Sequence, residues 1–227
     1  MSFMIAMLEG TLMSMAALQS APQDLHTYVV DHEASQLYVV VHRAGLLSFL
    51  GHEHAIVPRE WDADLCLGDP LSAGAHASLV METASLVIDS DGARTLAGMD
   101  GGPSEEDRET IRSRMMDSTN LDATNFPEIR LELRAVEPTG VDHASVEGTI
   151  VLRGVTQRFD LPVDVERMDG GRLILIGVLR IHQRDFGIEP ESRLGVVKVS
   201  NDVDLHFAVS ALPTDRPCPT PTNAGPG

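Results

Sequence analysis

Between Ser145 and Val165 the chain alternates apolar and polar side chains twice in succession, with a glycine at the break. Val146, Ile150 and Leu152 fall on one side while Glu147, Thr149 and Arg153 fall on the other. After a tight turn placed at Gly154-Val155-Thr156, Phe159, Leu161, Val163 and Val165 alternate with Arg158, Asp160 and Asp164. A period of two is the signature of a strand with one buried and one wet face, so this stretch predicts a β-hairpin.

The same signal recurs along the chain, separated by Gly, Asp and Pro clusters. Strands are expected at Gln36–His42, Ala55–Leu67, His76–Ile88, Glu128–Val136, Ser145–Arg153, Arg158–Glu166, Arg172–His182 and Val196–Ala211. In Glu128–Arg134, Ile129, Leu131 and Leu133 alternate strictly with charged residues, which requires one solvated face. One short helix is expected after Pro103, because Ser104 and Asp107 resemble a capping box and Ile111 and Met115 share a helical face; it would plug or cover an opening. About eight strands and one helix predict a mainly β protein, an extended eight-stranded antiparallel β-barrel of lipocalin-like type. With 227 residues, a single domain over residues 26–212 is expected, preceded by a leader or disordered extension (1–25). A Pro-rich tail (213–227) would follow, expected to be disordered for want of apolar residues to bury.

The wording of the hairpin, with its Gly154-Val155-Thr156 turn, resembles the YceI-like family. Three further segments match in order: Met115–Leu131 as a passage from helix to strand, Arg180–Ile188 as a late strand ending in Asp185-Phe186-Gly187, and Tyr28–Tyr38 as the first strand pair. The resemblance covers Thr27 to Leu212. It implies an extracytoplasmic antiparallel barrel that holds a long-chain isoprenoid or similar lipid, with no enzymatic activity.

Residues expected to face the lumen are Leu79, Met81, Leu131, Leu133, Ile150, Leu152, Leu161, Val163, Leu175, Leu179, Leu205 and Phe207. Such a wall suits a linear hydrocarbon, since burial contributes about 0.8 kcal/mol per methylene. Periodicity does not separate a lumen lined by these residues from one filled by them. Gly148 and Gly177, inside strands, would either leave room for a ligand or permit a bend.

The most specific chemistry lies at Gly51-His52-Glu53-His54. In a strand His52 and His54 share a face, so they could bind a metal ion or heme, with His42, Glu60 or His182 as further ligands. The competing reading is a polar hairpin near the barrel mouth that meets a lipid head group. Thus the cargo would be an isoprenoid or fatty acyl lipid, and a metal ion is the alternative. The Asp-Phe-Gly run is no kinase element, since no Gly-rich loop or lysine strand accompanies it; a turn with Gly187 in a conformation reserved for glycine is expected, capped by Asp185.

A formal charge of −17 and only nine aromatic residues (six Phe, two Tyr, one Trp) exclude nucleic acid as a partner. A homodimer is left open. Cys66 in a strand and Cys218 in the tail are expected to be one buried thiol and one unpaired thiol rather than a bridge. The Met-rich opening ends in Ala16-Ala-Leu-Gln-Ser-Ala21, as a secretory leader would, but no Lys or Arg precedes Arg43 and Glu9 interrupts the apolar run. No stretch is long and apolar enough to span a bilayer.

Overall fold

The structure, a computed structural model, describes residues 25–44, 53–68, 71, 74–138, 140–190, 192–193 and 197–218. Its strands are β1 (His26–Val30), β2 (Gln36–Ala44), β3 (His54–Pro58), β4 (Trp61–Leu67), β5 (His76–Glu82), β6 (Leu86–Ile88), β7 (Glu128–Pro138), β8 (His143–Leu152), β9 (Val155–Arg167), β10 (Leu173–His182), β11 (Ser192–Arg193) and β12 (Val197–Pro213). Two helices, α1 (Asp91–Leu96) and α2 (Glu105–Met116), lie between β6 and β7.

Antiparallel pairing runs β1-β4-β5-β7-β8-β9-β10-β12, and β12 pairs again with β1, so eight strands close on themselves. Closure removes the unpaired edges that an open sheet would present. The expected eight-stranded barrel is what forms. From β12 a second branch, β2-β3-β6, continues the sheet.

That branch exists because two expected strands are broken. Ala55–Leu67 divides into β3 and β4, with Pro58 at the break, where it has no N–H to donate to a ladder. His76–Ile88 divides at a single 3₁₀ turn, Thr83–Ser85. The two breaks lie side by side and are laced together: Ser85 Oγ donates to Glu60 O (3.2 Å) and accepts from Glu60 N (3.1 Å), while Glu82 N donates to Glu60 O (3.2 Å). Buried Thr83 donates through Oγ1 to Phe126 O (2.9 Å) and through N to Pro127 O (2.8 Å). Each half-strand follows a different neighbour, β4 and β5 staying in the ring while β3 and β6 turn towards β2. β6 ends the branch, and α2 packs beside it.

The hairpin turn is Arg153-Gly154, one residue earlier than expected, since Leu152 pairs with Val155. Both turn residues have positive φ (52° and 72°), as a two-residue turn matched to the strand twist requires. Arg153 therefore leaves the strand face and bonds to Ser118 O (2.7 Å) and Gly187 O, joining three turns at one end of the barrel. Gly187 has φ 70°, as expected. Among the described residues Asp185 shows no side-chain cap; its turn is held by buried Phe186 and by Asn201 Oδ1 accepting from Arg184 N (3.0 Å).

α2 begins where the sequence places it: Ser104 Oγ accepts from Asp107 N (3.2 Å) and donates to Asp107 Oδ2 (2.7 Å). α1, which the sequence reading did not foresee, is only one and a half turns long, with Ser90 as its cap. Such a short helix carries too few apolar positions to show a period.

The cysteines overturn the expectation of two unpaired thiols. Cys66 and Cys218 form a disulfide with Cα atoms 5.4 Å apart, 152 residues apart in sequence. Thr214 N donates to Thr27 O (2.8 Å) and Thr27 Oγ1 to Pro217 O (3.0 Å), so Pro213–Cys218 is held across β1 rather than disordered. Residues 219–227, like residues 1–24 of the expected leader or extension (1–25), lie outside the described residues.

Candidate functional site

Inside the barrel are two cavities, of about 510 Å³ and about 100 Å³. Leu179 and Leu205 belong to the walls of both. Of the residues expected to face the lumen, Met81, Ile150 and Leu152 lie along the larger chamber, and Leu79, Leu131, Leu133, Leu161, Val163, Leu175 and Phe207 along the smaller, with Leu179 and Leu205 shared. They alternate with outward residues on every strand, so the hydrophobic period itself builds the wall.

Gly148 and Gly177, expected either to leave room for a ligand or to permit a bend, each leave room for a phenyl ring instead. A side chain on Gly177 would stand 2.5 Å from Phe207 Cζ, its cross-strand partner, and one on Gly148 would stand 2.4 Å from Phe159 Cζ. Each phenyl ring occupies the space its partner glycine gives up, a pairing that pins register and thickens the wall.

Polarity is graded along the lumen. Among the described residues the smaller chamber is almost wholly aliphatic, with His76 and Ser78 as its polar members. The larger one adds Asp107, Thr110 and Arg114 from α2, Asn120 just beyond it, and Arg43, His54 and Gln183 from the wall. Ile111 and Met115 of α2 also line it, so the helix does lie over the opening. Sequence reasoning found this helix and its Ile111/Met115 face but not that it contributes charged groups. It also passed over Val39, Val41, Ile56 and Ile181, whose strands it had recognised.

The histidines do not converge. His54 lines the larger chamber, whereas His42, beside Val41 and Arg43 of the lining, and His182, beside Ile181, occupy the alternate, outward positions of their strands. His42 Nε2 pairs with Asp204 Oδ2 (2.9 Å) and His182 Nδ1 with Asp202 Oδ1 (2.8 Å). Glu60 sits at the β3–β4 break, and His52 lies outside the described residues. No group of three His, Cys, Asp or Glu able to hold a metal occurs among the described residues. The metal or heme reading therefore loses its additional ligands, because a period of two sends them to opposite faces of the sheet.

His54 belongs instead to a buried cluster. Its Nδ1 bonds Asp89 Oδ2 at 2.6 Å, and Asp89 Oδ1 accepts from Arg94 Nη1 (2.9 Å) and Ala55 N (3.0 Å). Asp89 is fully buried and has φ 50°. Burial pushes its carboxyl up, but the bonds from His54, Ala55 and Arg94 outweigh that and hold it below the usual carboxylate range. Nothing in the sequence marks Asp89 or Arg94 for this role.

On the outer face Asp204 is buried under Arg180 and His42. The Arg180 guanidinium, bonding through Nε (2.6 Å) and Nη2 (2.7 Å), pulls Asp204 down to about 2 against the opposing effect of burial.

A closed antiparallel barrel with an aliphatic, partly empty lumen and a polar mouth defines a class, the barrels that enclose one small apolar ligand. The YceI-like domain profile matches residues 28–211, and the chain belongs to that family. BcnA of Burkholderia cenocepacia superposes with a TM-score of 0.60 at 17% identity, over 80% of this chain and 98% of that one. A polyisoprenoid-binding domain from Saccharophagus degradans, implicated in plant cell wall breakdown, superposes with a TM-score of 0.55 at 17% identity, over 84% and 100%. The YceI protein of Campylobacter jejuni gives 0.51 at 15% identity, over 71% and 85%. No curated protein sequence matches the chain.

Proposed function

We propose that this protein is a non-enzymatic carrier that encloses one long-chain lipid, of polyisoprenoid or fatty acyl type, in its lumen. The observation that carries the proposal is the pair of aliphatic chambers, about 510 Å³ and about 100 Å³, sharing Leu179 and Leu205. The larger lies within the range of small-molecule sites, and a hydrocarbon needs no more from its walls than removal from water. Polyisoprenoid binding by the domain from Saccharophagus degradans supports the same ligand class. The polar mouth under α2 would receive the head group while the tail points towards Phe207.

The twelve lumen residues named from the sequence would make the hydrocarbon contacts. An extracytoplasmic location accompanies this reading, since the Cys66–Cys218 bridge needs an oxidising compartment to persist and the Met-rich opening is read as a leader. Among the described residues no helix is long and apolar enough to cross a membrane.

Native mass spectrometry and solvent extraction of the purified protein test the proposal. A single copurifying lipid per chain is expected, and folded Leu152→Glu and Leu133→Arg variants should carry none, because either charge would be unpaired in the lumen. Repeated recovery of empty protein from lipid-rich cells would overturn it.

A further inference from the structure

The cluster His54–Asp89–Arg94 is more elaborate than a structural role demands, and its one open end faces the larger chamber. Asp89 has no proton to give: it is ionised, fully buried, and already accepts from Arg94 Nη1 and Ala55 N. The proton in the 2.6 Å contact therefore sits on His54 Nδ1. In the neutral ring the second nitrogen, Nε2, is then a bare acceptor. His54 makes no other hydrogen bond among the described residues, and its side chain is 17% exposed, on the wall of the chamber beside Val41.

Resting on the carrier reading, we infer that His54 Nε2 fixes the polar end of the cargo, and that this end is a hydrogen-bond donor, a chain alcohol rather than an ionised carboxylate. An acceptor facing an apolar space costs free energy until a donor reaches it, and a hydroxyl supplies one. A carboxylate would set two further acceptors against Nε2, with the charge of Asp89 behind the ring. Among the described residues the cationic groups of the chamber, Arg43 and Arg114, are each engaged within the protein. The Asp89–Arg94 pair holds both the tautomer and the ring orientation, as a carboxylate does for a histidine in a catalytic or metal site.

The test is competition for the lumen among hexadecanol, palmitate and hexadecane, read by native mass spectrometry, with the His54 tautomer read by long-range proton–nitrogen NMR of the ring. In the intact protein at neutral pH hexadecanol should bind about tenfold more tightly than hexadecane, the worth of one net hydrogen bond, and more tightly than palmitate. NMR should find Nδ1 protonated and Nε2 bare, with Nε2 shifting when hexadecanol enters. His54→Leu should erase the preference for the alcohol over hexadecane, and Asp89→Asn, which tolerates both tautomers, should weaken it. Equal binding of hexadecanol and hexadecane, a preference for palmitate, or a proton on Nε2 would overturn the inference while leaving the carrier intact. Exclusion of all three probes would overturn the carrier reading and this one with it.

Discussion

Gly177 shows what a single residue contributes to the lumen. Its missing side chain is the seat of the Phe207 ring, and Phe207 lines the smaller chamber. Gly177→Ala should therefore drive the ring into that chamber, lowering stability by about 1–3 kcal/mol through overpacking and shortening the longest chain retained; urea unfolding and native mass spectrometry with chains of graded length check both effects. Asp204 makes a second residue-level prediction, about pH. Its carboxyl is depressed to about 2, so its contribution is present above the unfolded value near 4 and is lost as pH falls towards 2. His42, raised because the bonds from Asp204 and Glu53 outweigh its burial, contributes below its ordinary value and loses that contribution as pH rises through the raised one. Urea midpoints should accordingly peak at about pH 5–6, fall on the acid side by about 2 kcal/mol from Asp204, and soften above neutrality; a midpoint still rising at about pH 3 would contradict the pairing. At this scale the sequence was a good guide to direction and a poor one to partners. Alternation sent Leu152 inward, but it did not separate His182 from His54, and burial of Asp89 depends on His54 and Ala55 arriving from a strand remote in the chain.

The elements divide by how much apolar surface each buries. β8 and β9 pair along their whole length from Leu152↔Val155 to His143↔Asp164, which is why their alternation was so legible. α2 buries no residue completely and packs chiefly beside β6, with Arg112 Nη2 bonding Ala84 O (2.9 Å). Regions with little buried surface open first, so the amides of α2 should exchange with solvent far faster than those of β8 and β9, and bound lipid should slow them; hydrogen exchange with and without lipid measures this. The strand breaks at Pro58 and Thr83 were not read from the sequence, although Pro58 was in plain view and each break shifts the inward set by one position, from His54 and Ile56 to Ala63 and Leu65 and from Leu79 and Met81 to Leu86 and Ile88. What splits them is a choice of neighbour, settled by bonds from Ser85 and Thr83 to residues far along the chain.

The whole molecule closes at its weakest strand. β1 pairs with β4 over three residues and with β12 over three, and the chain after β12 runs back across it to the Cys66–Cys218 bridge. Joining residues this far apart restricts the unfolded chain, which in the chain-entropy model contributes about 5 kcal/mol. Reduction, or Cys218→Ser, should lower unfolding stability by about 3–5 kcal/mol with the loss felt first at β1; an unchanged urea midpoint in reductant would refute this role. By itself the sequence determined a barrel of about eight strands, the alternation on β5, β7, β8, β9, β10 and β12 and the oily character of the lumen, because strand periodicity is a local property that any eight-residue window reports. The tertiary structure alone decided that the barrel is hollow at the mouth and plugged beside its glycines, that His54 has a buried carboxylate behind it, and that two distant cysteines meet. Each of these depends on contacts between segments remote in sequence, where a change of loop length costs little and leaves no periodic trace.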